Sequence, residues 1–192
     1  MRPIETLKRM WATRWGRRAI IMLGLVLLLS APLRCDGPYK GRVVEEKTGQ
    51  PIPGVLAVAN WTGVSVNIAG GTTYCIDAAE ALTDENGEFE IPGRRASLFG
   101  NLGTMNISIY KVGYQKVECM WKEFYHGGSC YEDPVNFEGD RAIFPLSRVP
   151  KAKLDSTDGY PPHISCGRKD GKPLTQYIKV HEDYRRALGL KP

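Results

Sequence analysis

Asp84, Asn86 and Glu88 stand at alternate positions around Gly87 in the stretch ALTDENGEFEIPG, residues 81–93. Oxygen-bearing side chains spaced by two are what a calcium loop uses. Such a loop needs about six to eight oxygen ligands, usually with a bidentate carboxylate at a set distance. Here the run stops at Glu88, and Phe89 and Ile91 begin the alternation of a strand. Asn86-Gly87 is also the favoured pair for a two-residue hairpin, because both positions accept positive φ. An aspartate placed like Asp84 accepts backbone hydrogen bonds from such a turn. The stretch is read as a tight turn between two strands, and no metal ligand is assigned to it.

Other chemistry-bearing residues are sparse. His126, His163 and His181 are widely separated and form no H-x-H pair. Ser129 in HGGSC lies near His126, but no G-x-S-x-G elbow surrounds it. Cys75, Cys119, Cys130 and Cys166 contain no C-x-x-C and have no histidine in a ligand pattern, so they do not spell a zinc site. They are candidates for two disulfides, and four cysteines allow three pairings. No catalytic residue, metal or cofactor is assigned. Tyr74, Phe124, Tyr125, His126 and Tyr131 are the candidate binding residues, because aromatic groups in or near loops suit recognition.

These residues need elements to hold them. Gly 21 and Pro 13 in 192 residues favour a turn-rich β protein over a helical bundle. Seven short runs have strand character: Lys40 to Glu46, Val55 to Trp61, Glu80 to Thr83, Glu88 to Ile91, Asn106 to Lys111, Val117 to Glu123 and Asp140 to Leu146. In NISIYK, Ile107 and Ile109 share one face; in VECMWKE, Val117, Cys119 and Trp121 do. Period two with one apolar side marks a half-buried strand, and several such strands point to an antiparallel sandwich. Val64 to Asp77 and Phe124 to Asn136 read as loops. Residues 149–172 read as an extended connection. Residues 173–190 read as a C-terminal amphipathic helix, with Leu174, Tyr177, Ile178, His181, Tyr184 and Leu188 on one face. Pro173 suits its first turn and Gly189 its C-terminal cap. That face has two possible seats, the chain's own sandwich or a partner.

The formal charge of +5 belongs to the N-terminus. Residues 1–34 carry seven Lys or Arg and only Glu5, while the rest holds 19 basic and 20 acidic residues. No basic excess remains for nucleic acid. Residues 1–36 have a basic segment followed by an uncharged apolar run from Ala19 to Leu29, the layout of an export signal. Extended to Leu33, the run spans about 22 Å of helix, short of a full bilayer crossing. Cleavage, retention as an inner-membrane anchor and lipidation at Cys35 all stay open. The expected location is the periplasm or the periplasmic face of the inner membrane, where the cysteines would be oxidised.

Residues 37–148 resemble a known family. GRVVEEKTGQPIPGVLAVANW (41–61), ALTDENGEFEIPG and ISIYKVGYQKVEC (107–119) are similar, in order and spacing, to three segments of carboxypeptidase regulatory-like domains. The resemblance implies a seven-stranded antiparallel transthyretin-like (prealbumin-like) sandwich. In bacteria such domains are common in envelope proteins, usually without catalysis of their own. The opening hairpin and Trp61 also resemble intradiol dioxygenases, whose iron is held by two tyrosines and an H-x-H pair of histidines; that pair is missing here. The C-terminal Tyr-Arg-Gly-Ser signature of hydroxyisourate hydrolases is missing too. The expectation is a non-catalytic exported binding or scaffolding module that recognises an envelope protein. The alternatives are a carbohydrate-binding module or a metal-dependent enzyme related to intradiol dioxygenases.

Overall fold

A computed structural model describes residues 35–67, 70–95, 104–121, 129–130, 133–134, 136–156, 159–164 and 166–191, together with Met22. Apart from Met22 these lie in one compact unit, Cys35–Pro192. The expected export segment lies outside the described residues. No helix among the described residues is long and apolar enough to cross a membrane.

The chain runs through β1 (Cys35–Asp36), β2 (Tyr39–Glu45), β3 (Leu56–Asn67), β4 (Gly70–Leu82), β5 (Glu88–Ile91) and β6 (Arg94–Arg95). Then follow β7 (Thr104–Tyr110), β8 (Val117–Trp121), β9 (Ser129–Cys130), β10 (Asp133–Pro134), β11 (Asn136–Glu138) and β12 (Arg141–Leu146), and last a helix, α1 (Thr175–Ala187). One sheet has the order β10-β9-β8-β7-β3-β4, a second β11-β12-β2-β5, and β1 pairs with β6. The compact unit is mostly β among its described residues, a sandwich of two sheets with α1. The seven runs read from the sequence fall on β2, β3, β4, β5, β7, β8 and β12; the other strands are two or three residues long.

Two features differ from expectation. The pairing is not wholly antiparallel, because β12 runs parallel to β2, with Phe144 opposite Val43. The described residues of the stretch Val64 to Asp77 are not a loop. They extend β3 and β4 as paired antiparallel strands, with Val64 opposite Thr73 and Asn67 opposite Gly70.

The two sheets share one core. Val43, Phe89, Ile91, Phe144 and Leu146 meet Trp61, Met105, Ile107 and Ile109 across it. Phe89 and Phe144 pack with ring centroids 5.9 Å apart. Gly41 lies beneath this pair, and a Cβ there would come within 2.3 Å of the Phe89 ring. The outer face of the six-stranded sheet is also apolar in part. Leu56, Val58 and Ala78 form a second cluster with Cys166 and Leu174. This explains why β3 reads as a nearly continuous apolar run: both faces are covered.

The Asp84 stretch turns the chain from one sheet to the other. Asp84 Oδ1 accepts from Asn86 N and Glu88 N, both at 2.9 Å. Gly87 N donates to Asp84 O at 3.0 Å and Asp84 N to Glu88 O at 2.9 Å, and Gly87 has φ +72°. This is the bonding of a three-residue loop closed by a left-handed glycine, one residue longer than the two-residue hairpin read from Asn86-Gly87. The carboxylate that resembled a calcium ligand is engaged by the turn's own backbone.

Candidate functional site

The C-terminal segment decides which part of the outer face stays open. After β12 it forms a 3-10 turn at Lys151–Lys153, crosses the sheet and ends in α1. Tyrosines hold it. Tyr110 Oη, from β7, donates to Gly159 O at 2.8 Å. Tyr184 Oη donates to Leu154 O at 3.1 Å, and Tyr177 Oη to Pro162 O at 3.0 Å. Burial pushes the phenol pKa of Tyr110 well above its usual value. A disulfide joins Cys75 to Cys166, with Cα atoms 5.3 Å apart.

The helix is seated by a carboxylate from the sheet. Its N-cap position is Leu174, which has no capping side chain. Glu80 of β4 fills that role: Oε1 accepts from Gln176 N at 3.1 Å and Oε2 from Tyr177 N at 2.9 Å. A carboxylate at a helix N-terminus satisfies orphan donors and complements the helix dipole. At the other end Leu190 N reaches Arg185 O and Gly189 N reaches Arg186 O, both at 2.9 Å, with Gly189 at φ +77°. This is a Schellman cap, as Gly189 implied. Pro173 precedes the cap rather than opening the helix. The helix face docks on the chain's own sandwich through Leu174, Tyr177 and Val180. Ile178, read as part of that face, is exposed.

Where this cover stops, the outward positions turn from apolar to polar. Along β3 they run Leu56, Val58, Asn60; along β7 they run Tyr110, Ser108, Asn106. Asn60 lies opposite Asn106, Ser108 opposite Glu118, and Asn106 opposite Met120. With His163 and Ile164 of the C-terminal segment these residues line a groove of about 380 Å³. Ser108, His163 and Glu118 are the residue types of a hydrolytic triad. Among the described residues no hydrogen bond joins Ser108 to His163, the contact that general-base activation of the hydroxyl would use. The described polar groups here offer hydrogen-bond donors and acceptors to the groove.

A second feature is the ribbon made by the far ends of β3 and β4. Past Thr62, the last β3 residue paired to β7, only β4 pairs with β3 among the described residues. No charged residue occurs from Thr62 to Ile76. Val64 is 62% exposed and Tyr74 46% exposed. The Tyr74 ring lies over Gly63, where a Cβ would come within 2.5 Å of it. Nearer the body of the sheet the β4 edge is blunted. Asp77 Oδ1 accepts from Ala78 N at 2.9 Å and from Lys169 N at 2.8 Å. Lys169 belongs to a turn ordered by Asp170, whose carboxyl is held down to about 2, chiefly by its hydrogen bonds to Arg168.

Of the binding residues read from the sequence, Tyr74 is on this ribbon. Phe124, Tyr125, His126 and Tyr131 lie outside the described residues, as does Ser129's side chain. His163 borders the groove. His181 sits on α1, edge-on to Tyr177 with centroids 4.5 Å apart. Its Nε2 is buried with no hydrogen-bond partner, and burial lowers its pKa. Cys75 and Cys166 are bonded to each other. Cys119 is also disulfide-bonded, and Cys130 is its neighbour across the ladder. Among the described residues no three His, Cys, Asp or Glu side chains gather as a metal site requires. Sequence reasoning missed Asn60, Asn106, Ser108 and Glu118. The available signal was asparagine at outward positions of two strands, where that residue is depleted.

No family model matches the chain, and no curated protein matches it. Among solved structures it is similar to 3-chlorocatechol 1,2-dioxygenase from Rhodococcus opacus, at 17% identity and a TM-score of 0.35. The likeness covers 62% of this chain, which spans 64% of the enzyme's chain. A likeness this slight says nothing about reaction or ligand.

Proposed function

We propose that this chain is a non-catalytic, exported binding module of the cell envelope that recognises a protein partner by strand addition along the β3–β4 ribbon. The observation that carries this reading is the uncharged ribbon itself. Natural sheets protect long edges with charges, proline or a covering segment. Asp77 and the Lys169 turn do this for the body of β4, while Gly70–Tyr74 carries no charge or proline and no described segment pairs with its outer edge. A strand edge of this kind suits β-augmentation. Tyr74 and Val64 would supply side-chain specificity beside the backbone bonds.

The disulfides support an oxidising location, in keeping with the export layout of residues 1–36 and a periplasmic site. The resemblance to carboxypeptidase regulatory-like domains supports a transthyretin-like sandwich whose principal strands are the seven read from the sequence. It also supports a scaffold role without cofactor.

The test places a photocrosslinking residue at Thr72 of the full chain expressed in the envelope. The expected result is a discrete protein adduct. On adding the purified partner, alternate amides of Gly70–Cys75 become protected from hydrogen exchange. Thr73→Pro, which removes an edge donor, abolishes both effects while the melting temperature holds. Adducts unaffected by Thr73→Pro would sink strand addition as the mode.

A further inference from the structure

The groove beside His163 carries a second inference, independent of the ribbon. Asparagine is disfavoured within strands, yet Asn60 and Asn106 face each other across β3 and β7, two inner strands of the six-stranded sheet. Each carboxamide offers two donors and an acceptor. Neither amide, nor the Ser108 hydroxyl, nor the His163 ring bonds to another described residue. Ser108 is only 5% exposed, but its hydroxyl is not sealed and meets the groove. Of these only Ser108 is buried; Asn60 and Asn106 are half-buried and His163 is exposed. Four polar groups from β3, β7 and the C-terminal segment, with no hydrogen-bond partner among the described residues, converge on one concavity and offer their donors and acceptors to an external partner.

We propose that this groove is a binding site for a neutral saccharide of one or two rings. Charge narrows the class. Among the described residues no lysine or arginine lines the groove, so no permanent cation there is available to phosphate or carboxylate. Glu118, the one acidic group among the described lining residues, has Lys116 Nζ at 3.6 Å from Oε1, which offsets its pull on a cation. Sugar hydroxyls donate and accept from one atom, which matches carboxamides presenting both functions side by side. Met120 and Ile164 give apolar surface for the C–H faces of a ring. The volume of about 380 Å³ falls in the range of small-molecule sites.

The experiment titrates the oxidised, nitrogen-15-labelled full chain with chitobiose and, separately, cellobiose. The expected result is saturable movement of the Asn60 and Asn106 side-chain amide signals at millimolar concentration with at least one of them. Asn106→Ala should weaken that binding about tenfold, the worth of a lost hydrogen bond. Met120→Lys blocks the groove from an exposed position without entering the core, and should abolish binding with the melting temperature kept. Glu118→Gln should change affinity little, because a neutral ligand does not need the charge. The proposal is overturned if neither sugar moves the amides, if the movement survives Met120→Lys, or if inorganic phosphate or methylamine moves the same signals instead.

Discussion

Thr83 shows how much a single hydroxyl can organise. Its side chain is buried; Oγ1 donates to Ile52 O and accepts from Val55 N, both at 2.8 Å. Its own backbone pairs with Gly54 and Val55. The residue thus ties the end of β4 to the entry of β3. Valine has nearly the same shape, so Thr83→Val removes the bonds and little packing. It leaves a buried donor and a buried acceptor unpaired, at about 1–3 kcal/mol for each group. Urea unfolding should therefore show a loss of about 2 kcal/mol or more, while Glu85→Ala in the adjoining turn should change little. A Thr83→Val protein of unchanged stability would mean that water replaces the hydroxyl. The motif around Thr83 was legible in the sequence, and so was Asp84 as a turn aspartate. The two hydrogen bonds made by the Thr83 hydroxyl were not, because its partners are 28 and 31 residues away in the chain.

Among the elements, α1 was legible and its anchor was not. Three- and four-residue apolar steps and Gly189 announce a helix, but the cap comes from Glu80, 96 and 97 residues before the amides it holds. Glu80→Ala should cost about 1–2 kcal/mol, as loss of a good cap does, and exchange at Gln176 and Tyr177 should quicken first. Exchange that stayed slow at those amides would show that packing alone seats the helix. His181 gives the same element a pH dependence. Its folded pKa lies below the ordinary value of 6.5, through burial first and through nearby His163 as well. The unfolded chain therefore takes up a proton that the folded chain resists. That penalty is absent well above 6.5 and grows as pH falls through it. The melting temperature should drop from pH 7.5 to 5.5, and less steeply in His181→Gln; equal slopes would assign the effect to other groups. The β3–β4 ribbon was misread for a physical reason. With both faces in solvent it needs no apolar alternation, and Gly70-Gly71 resembles loop punctuation. Its β-branched Val64, Val66, Thr72 and Thr73 were the strand signal available.

At the scale of the whole molecule, the sandwich followed from alternation, whereas the groove did not, because its walls come from three distant stretches that only the fold brings together. The C-terminal segment decides what the outer face offers, and two kinds of tie hold it. The Cys75–Cys166 bond closes a loop with a sequence separation of 91, and a crosslink of that span stabilises by about 2–5 kcal/mol, mainly by restricting the unfolded chain. The tyrosine hydrogen bonds and the Glu80 cap act in the folded state alone. These contributions separate experimentally. In Cys75→Ser/Cys166→Ser the global stability should fall by about 2–4 kcal/mol. Opening should appear first at residues 166–171, which pass the β4 edge, because Tyr110 still holds Gly159 and Glu80 still caps α1. Hydrogen exchange resolved by segment reads this directly. If residues 147–190 instead loosened together, the disulfide would be the tie that keeps the outer face covered. The apolar cluster of Leu56, Val58 and Ala78 would then be exposed by reduction alone.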